Sequence, residues 1–122
     1  MFILAAINSR GQEFMNKDSL LLVLKTAEED TGKVVLYINI GQQYENSQPD
    51  SAAFYYTEAK TLSERLNYPP GVLRYISNIT YVLNIQGKMD SSLKLNLYSV
   101  ELARKINDKN RIATGLANTG TS

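Results

Sequence analysis

The chain lacks cysteine, histidine and tryptophan, and only three of its 122 residues are proline. Without cysteine there is no disulfide and no thiol nucleophile, and without histidine there is no Ser-His-Asp triad and no zinc site of the usual kind. No glycine-rich phosphate loop is present. The acidic run Glu28, Glu29 and Asp30 offers carboxylates, but neighbouring residues of a helix point in different directions, so it indicates helix-end charge. We therefore expect no enzymatic activity and no cofactor.

Long hydrophobic runs and a strong net charge are also missing. The apolar residues 1–7 are far fewer than the roughly 20 needed to span a membrane, and residues 1–17 are predicted to be a leader or a loosely ordered segment. The five-residue run Leu20 to Leu24 favours buried packing over membrane contact. A net charge of +1 argues against binding to nucleic acid, and the seven basic and three acidic residues of 72–122 indicate a mildly basic, solvated face.

Apolar periodicity supplies the main structural signal. From Val72 to Gln86 the apolar residues recur at steps of three and four, the period of an amphipathic helix, and Gly87 then ends that helix. The recurring residues are Tyr75, Ile76, Ile79, Val82 and Leu83. A second helix, capped by Asp90, continues the spacing until residues 107–110 break it. Its apolar residues are Leu93, Leu97, Val100, Ala103 and Ile106.

The same pattern recurs along the chain. Asn39-Ile40-Gly41, Asn78-Ile79-Thr80 and Asn118-Thr119-Gly120 follow one another at intervals of 39 and 40 residues. Small residues lie seven apart in two successive second helices, as Ala52 with Ala59 and Ser92 with Ser99. A fixed period of this length indicates stacked units that bury their apolar faces against one another.

These residues resemble the tetratricopeptide repeat family, in a lengthened variety of about 40 residues rather than the usual ~34. The first full unit matches the family pattern at Gly41, Tyr44, Ala52, Tyr56 and Ala59. The central unit departs from it, with Thr80 for glycine, Leu83 for the aromatic and two serines for the alanines. The resemblance covers residues 18–122. The order of elements is particularly similar to that of the repeat regions of bacterial sensor kinases and helix-turn-helix regulators. It implies an all-α array of antiparallel helix hairpins and a bacterial location, in the cytoplasm or on the periplasmic side of a membrane-anchored sensor.

The predicted order of elements follows from these signals. We expect a helix at 18–30 capped by Asp18 and closed by Thr31-Gly32, helix pairs at 33–67 and 72–107, and a terminal helix at 111–122. Asp50 or Ser51 is predicted to cap the second helix of the first pair, and residues 68–71 to form a stiff linker. The last helix has no partner after it, so the chain is expected to be part of a longer array that self-associates weakly through its ends.

In such arrays the first helix of each pair lines the concave groove, as the resemblance implies. The face of these helices opposite the packing residues is therefore the predicted binding stripe. Its members are Val35, Asn39, Gln42, Asn46, Arg74, Asn78, Tyr81, Ile85, Thr114 and Asn118.

The stripe predicts a protein or peptide partner held along a ladder of Asn39, Asn78 and Asn118. Asparagine carries both a donor and an acceptor, so it can bond the backbone of an extended peptide. Tyr81 would then give an apolar contact and Arg74 would favour an acidic group. Two alternatives stay open. The asparagines merely tolerate solvent or bond within the stack between adjacent first helices, or the array is a structural spacer or dimerisation array within a multidomain signalling regulator.

Overall fold

The structure, a computed structural model, describes the backbone of residues 16–118 and the side chains of residues 16–107 and 109. Within that part of the chain, all regular secondary structure is helical. The helices are α1 (Lys17–Thr26), α2 (Thr31–Tyr44), α3 (Pro49–Arg65), α4 (Pro69–Ile85) and α5 (Met89–Asn118). The all-α fold class predicted from the sequence is confirmed. The predicted leader falls mostly on residues 1–15, outside the described residues.

Two residues in the left-handed backbone region follow the ends of α3 and α4. Gly87, which was predicted to end α4, follows that helix and has φ 77°. Asn67 follows the end of α3 and has φ 53°. Each is followed by an amide that bonds back to the helix, from Lys88 to the Leu83 carbonyl and from Tyr68 to that of Ser63, both at 2.8 Å. These are Schellman turns, which favour glycine or asparagine at this position.

The boundary between α1 and α2 differs from the predicted one. Asn16, not Asp18, caps α1, since its side chain accepts from the Ser19 amide at 2.8 Å. The helix ends at Thr26 instead of residue 30. Asp30 then caps α2 by accepting from the Lys33 amide at 3.1 Å, so Thr31 and its neighbouring glycine open α2 rather than close α1. The Asp30 carboxylate is stabilised at the positive end of the α2 dipole, which explains why this residue begins α2 rather than ends α1.

The prolines begin helices rather than separate them. Pro49 is the first residue of α3, so neither Asp50 nor Ser51 is its cap, and α3 starts three residues before the predicted Ala52. The predicted linker at 68–71 is wrong as well, because Pro69 opens α4. Proline is well tolerated at the first position of a helix, where its missing N–H would have no helical partner.

Helix α5 runs without interruption from Met89 to Asn118. The predicted break at residues 107–110 and the separate terminal helix at 111–122 are therefore wrong over the described backbone, and the helix begins at Met89 rather than after a cap at Asp90. Asparagine and aspartate cost a helix interior at most about 0.7 kcal/mol each relative to alanine, which does not suffice to stop it without proline. The side chains of the predicted end contact, Ile112, Ala113, Leu116 and Ala117, lie outside the described residues.

Each helix packs against the next along the chain, and α2 also contacts α4. The larger core cluster joins α2, α3 and α4, while a smaller one joins α1 and α2. The larger consists of Val34, Ile38, Ala52, Tyr56, Ala59, Leu62, Ile79 and Val82, and the smaller of Leu20, Leu36 and Ile40. Leu22 is 64% exposed, so the Leu20 to Leu24 run is buried only in part.

The predicted packing face of α4 is confirmed, whereas that of α5 is wrong in part. Ile76, Ile79 and Val82 are buried. On α5 the predicted residues Leu93 and Val100 are exposed instead. The more covered residues of that helix are Ser92, Leu95, Ser99, Leu102 and Ile106, of which only Ile106 belongs to the predicted face. A hydrophobic period shows that a helix has an apolar face. Because α5 has two adjacent apolar faces, the period does not show which of them packs against α4.

No described helix is long and apolar enough to cross a membrane.

Candidate binding surface

The predicted binding stripe lies outside the core on both α2 and α4. Seven of its members lie on these two helices, whereas Asn46 lies in the turn after α2 and not on the predicted first helix. All eight are exposed or partly exposed: Val35, Asn39, Gln42, Asn46, Arg74, Asn78, Tyr81 and Ile85. Because α2 contacts α4, the two halves of the stripe are neighbours in space. We call these eight residues the α2–α4 stripe.

The last two predicted members do not lie on a third such helix. Thr114 and Asn118 belong to α5, because that helix continues to Asn118. Their side chains lie outside the described residues, so their part in a groove stays a prediction. Within the described residues, an asparagine ladder has only Asn39 and Asn78 to build on.

A hydrogen bond joins the two halves of the stripe. Gln42 Nε2 donates to Asn78 Oδ1 at 2.9 Å, and Asn78 Nδ2 donates to the Arg74 carbonyl one turn earlier at 2.8 Å. An asparagine amide has two N–H groups and two carbonyl lone pairs. Among the described residues, these two bonds leave one N–H and one lone pair of the Asn78 amide. The alternative that asparagines bond between adjacent first helices is confirmed at this residue, and the sequence offered no signal for Gln42 as the partner.

A buried phenol and a carboxylate lie close to this surface. Tyr56 is fully buried in α3, and its Oη donates to Glu45 Oε2 at 2.7 Å. Burial raises the pKa of the Tyr56 hydroxyl, the bond to Glu45 raises it further, and the nearby Tyr81 phenol adds a smaller contribution. The pattern singled out Tyr56 as a packing residue only. Its bond to Glu45 depends on how α3 crosses the end of α2, which the sequence does not reveal.

The stripe becomes apolar toward the end of α4. Tyr81 is 47% exposed and Ile85 is 53% exposed, and they lie four residues apart on one face of the helix. Arg74 lies toward the other end of the same face and is exposed too. This half of the surface therefore offers a cationic group, an amide and two apolar side chains in succession.

A second surface feature, which the sequence reasoning missed, is a group of aromatic rings at α2 and α3. Tyr44 stacks on Tyr55 with ring centroids 5.6 Å apart, and Tyr37 and Phe54 meet Tyr55 at 6.4 and 5.1 Å. Lys17 Nζ lies 4.5 Å from the centre of the Tyr44 ring. Burial raises the pKa of the Tyr55 phenol. The signal was available in the eight tyrosines of the composition.

The acidic run at 28–30 forms surface ion pairs. Glu29 contacts Lys33 Nζ at 2.7 Å and an Arg65 nitrogen at 2.6 Å, joining the turn before α2 to the end of α3. The hydrogen bond from Lys33 is the main cause that lowers the pKa of Glu29. Among the described residues, no group of three or more acidic, histidine or cysteine side chains is placed to hold a metal ion.

Comparisons of the chain with protein-family models, with curated proteins and with solved structures find no match.

Proposed function

We propose that the chain is a tetratricopeptide-like array that binds an extended segment of a protein partner along the α2–α4 stripe. It would act without catalysis, as the sensory or scaffolding part of a larger signalling protein. The proposal rests on the exposure of Tyr81 and Ile85, which are 47 and 53% exposed on the face of α4 that also carries Arg74 and Asn78.

The chemistry of the surface suits a peptide backbone. Asn78 keeps one N–H and one lone pair, which match the carbonyl and amide that an extended peptide presents. Tyr81 and Ile85 supply the apolar contact, and aromatic side chains are frequent anchors of protein interfaces. Arg74 favours an acidic side chain toward the other end of the segment.

A structural spacer or dimerisation array is the second candidate function. The bonds of Asn78 favour it, since part of its amide capacity is used inside the protein rather than toward a partner. A spacer needs the contact between α2 and α4 but no ligand. The two functions therefore differ in whether changes at exposed stripe residues affect binding or only stability.

A peptide screen followed by matched variants tests the proposal. Peptides selected from a random library would be titrated against the parent, Asn78→Ala and Tyr81→Ala by fluorescence anisotropy. Truncation of an anchoring aromatic costs more than about 1 kcal/mol, so Tyr81→Ala should weaken binding roughly fivefold or more. Tyr98→Ala is the matched control, because Tyr98 is an equally exposed tyrosine on α5, 51% against 47%.

Circular dichroism would verify that each variant keeps its helicity. Loss of affinity in Tyr81→Ala with parent-like affinity in Tyr98→Ala supports the stripe. If no peptide binds, the spacer is favoured. If Tyr98→Ala alone weakens binding, the peptide binds at α5 and the proposed site is wrong.

A further inference from the structure

Helix α5 carries an apolar face that no described helix covers. Met89, Leu93, Leu97 and Val100 are 59, 58, 60 and 63% exposed, and their steps of four, four and three place them on one side of the helix. We call them the α5 stripe. They lie beside the face of Ser92 and Leu95, which meets the rest of the fold. Contiguous exposed apolar residues of this kind mark interaction surfaces.

The corresponding positions of α3 indicate what sort of element fits there. Forty residues before Leu93 and Val100 stand Ala53 and Lys60. Ala53 packs against the core that α2, α3 and α4 share, and Lys60 Nζ lies 5.9 Å from the centre of the Tyr75 ring on α4. At Lys60, which corresponds to Val100, α3 therefore faces the following helix α4. The α5 stripe is accordingly shaped for a helix laid along it.

We propose that this helix is the α5 of a second copy, in antiparallel orientation. The charged residues along one flank of the α5 stripe alternate in sign: Asp90, Lys94, Glu101 and Arg104. In an antiparallel pair centred near Leu97, Asp90 faces the second copy's Arg104 and Lys94 faces the second copy's Glu101. In a parallel pair the same flank of each helix would lie on the opposite side of the contact, so these four charges could not pair with one another.

The apolar residues obey the same symmetry. Leu93 lies opposite the second copy's Val100, and the two Leu97 side chains meet near the twofold axis. The ion pair of Arg104 with Glu101 at 3.1 Å is formed between exposed side chains, so it can exchange for the intermolecular pairs. Because four apolar side chains cover less than the ~800 Å² per partner of a stable complex, the dimer is weak.

Sedimentation equilibrium of the full chain tests the pairing. We expect a reversible monomer–dimer equilibrium with a dissociation constant on the order of 100 μM, and Leu97→Glu should weaken it at least about tenfold. Leu22→Glu is the control, since Leu22 is 64% exposed on α1. A chain that stays monomeric at millimolar concentration, or an equal loss in Leu22→Glu, overturns the proposal.

Charge exchange tests the orientation. Asp90→Arg and Arg104→Asp should each weaken self-association, whereas an equal mixture of the two variants should form a mixed dimer as stable as the parent's. Failure of the mixture to recover would rule out the antiparallel arrangement. This inference does not depend on peptide binding: Tyr81→Ala should leave the dimer unchanged, so either proposal can fail while the other stands.

Discussion

The helix pairs α2–α3 and α4–α5 follow one predicted register but fill it with different side chains. In the first pair Gly41 lies against the Tyr56 ring: a Cβ on that glycine would be 2.4 Å from Tyr56 Cε1. In the second pair Thr80 and Asn96 occupy the corresponding positions. The glycine and tyrosine that meet in the first pair thus correspond to a threonine and an asparagine in the second.

The difference in side chains accompanies a difference in burial. Ala52, Tyr56 and Ala59 of α3 are fully buried, because α3 lies between α2 and α4. Of the corresponding residues on α5, Ser92 is buried, Asn96 is exposed and Ser99 is partly exposed. One face of α5 packs on α4, and the neighbouring apolar face is open. Similar sequence patterns can therefore specify a central helix in one pair and, in the next, a helix with an apolar face that no described helix covers.

Removing the Tyr56 ring should produce the largest effect. Tyr56→Ala deletes a fully buried aromatic ring and its bond to Glu45, and such truncations cost about 3 to 5 kcal/mol of unfolding free energy. Asn96→Ala, at the corresponding position of α5, should change it by less than about 0.5 kcal/mol because Asn96 is exposed. Urea denaturation of both variants measures the difference, and similar losses would contradict the contrast between α3 and α5.

Gly41→Ala should have the next largest effect. The added methyl meets Tyr56 Cε1 and Cδ1 at 2.4 and 2.6 Å, and the buried ring has little room to move. Overpacking of this kind costs about 1 to 3 kcal/mol, of which the better helix propensity of alanine returns up to about 1 kcal/mol. The cost should vanish in a Tyr56→Ala background. An equal cost with and without the ring would show that the register assigned to this pair is wrong.

The sequence predicted the all-α class, the amphipathic face of α4 and the end of that helix at Gly87. These features depend on local periodicity and on the left-handed conformation that glycine tolerates. It failed where an outcome depended on neighbours. Pro69 is compatible both with a linker and with a helix start, and the apolar residues of α5 are compatible with two packing faces.

In the candidate site, too, the sequence predicted what depends on local periodicity and not what depends on neighbouring helices. Periodicity placed Gln42 and Asn78 on outward faces, where both are found. Their hydrogen bond joins residues 36 apart and depends on the relative position of α2 and α4 to within an ångström. Thr114 and Asn118 were placed on a separate helix because a polar segment was interpreted as a break. Helix α5 continues through residues 107–110 although these residues are polar.

Alkaline pH should destabilise the fold through buried and partly buried phenols of α3 and α4. Burial raises the pKa of Tyr56, Tyr55 and Tyr75 above the ordinary value of 10.0. The unfolded chain therefore ionises first, so stability is complete below about pH 10 and falls as the pH rises further, by up to about 1.4 kcal/mol per unit for each tyrosine. Urea denaturation from pH 8 to 11.5 measures this slope. Tyr56→Phe should reduce it, and an unchanged slope would exclude Tyr56 as a cause.

The smallest effect is expected at the contact that joins the two pairs. A double-mutant cycle with Gln42→Ala and Asn78→Ala should give a coupling energy of no more than about 1 kcal/mol, because their side-chain bond lies at an exposed surface. The two single variants should differ in peptide binding. Asn78→Ala removes the amide that bonds the peptide, whereas Gln42→Ala leaves it and frees the Asn78 Oδ1 lone pair. We therefore expect Gln42→Ala to bind a selected peptide at least as tightly as the parent. Equal losses of affinity in the two variants, with measurable coupling, would mean that the bond serves the stack and that the peptide does not use Asn78.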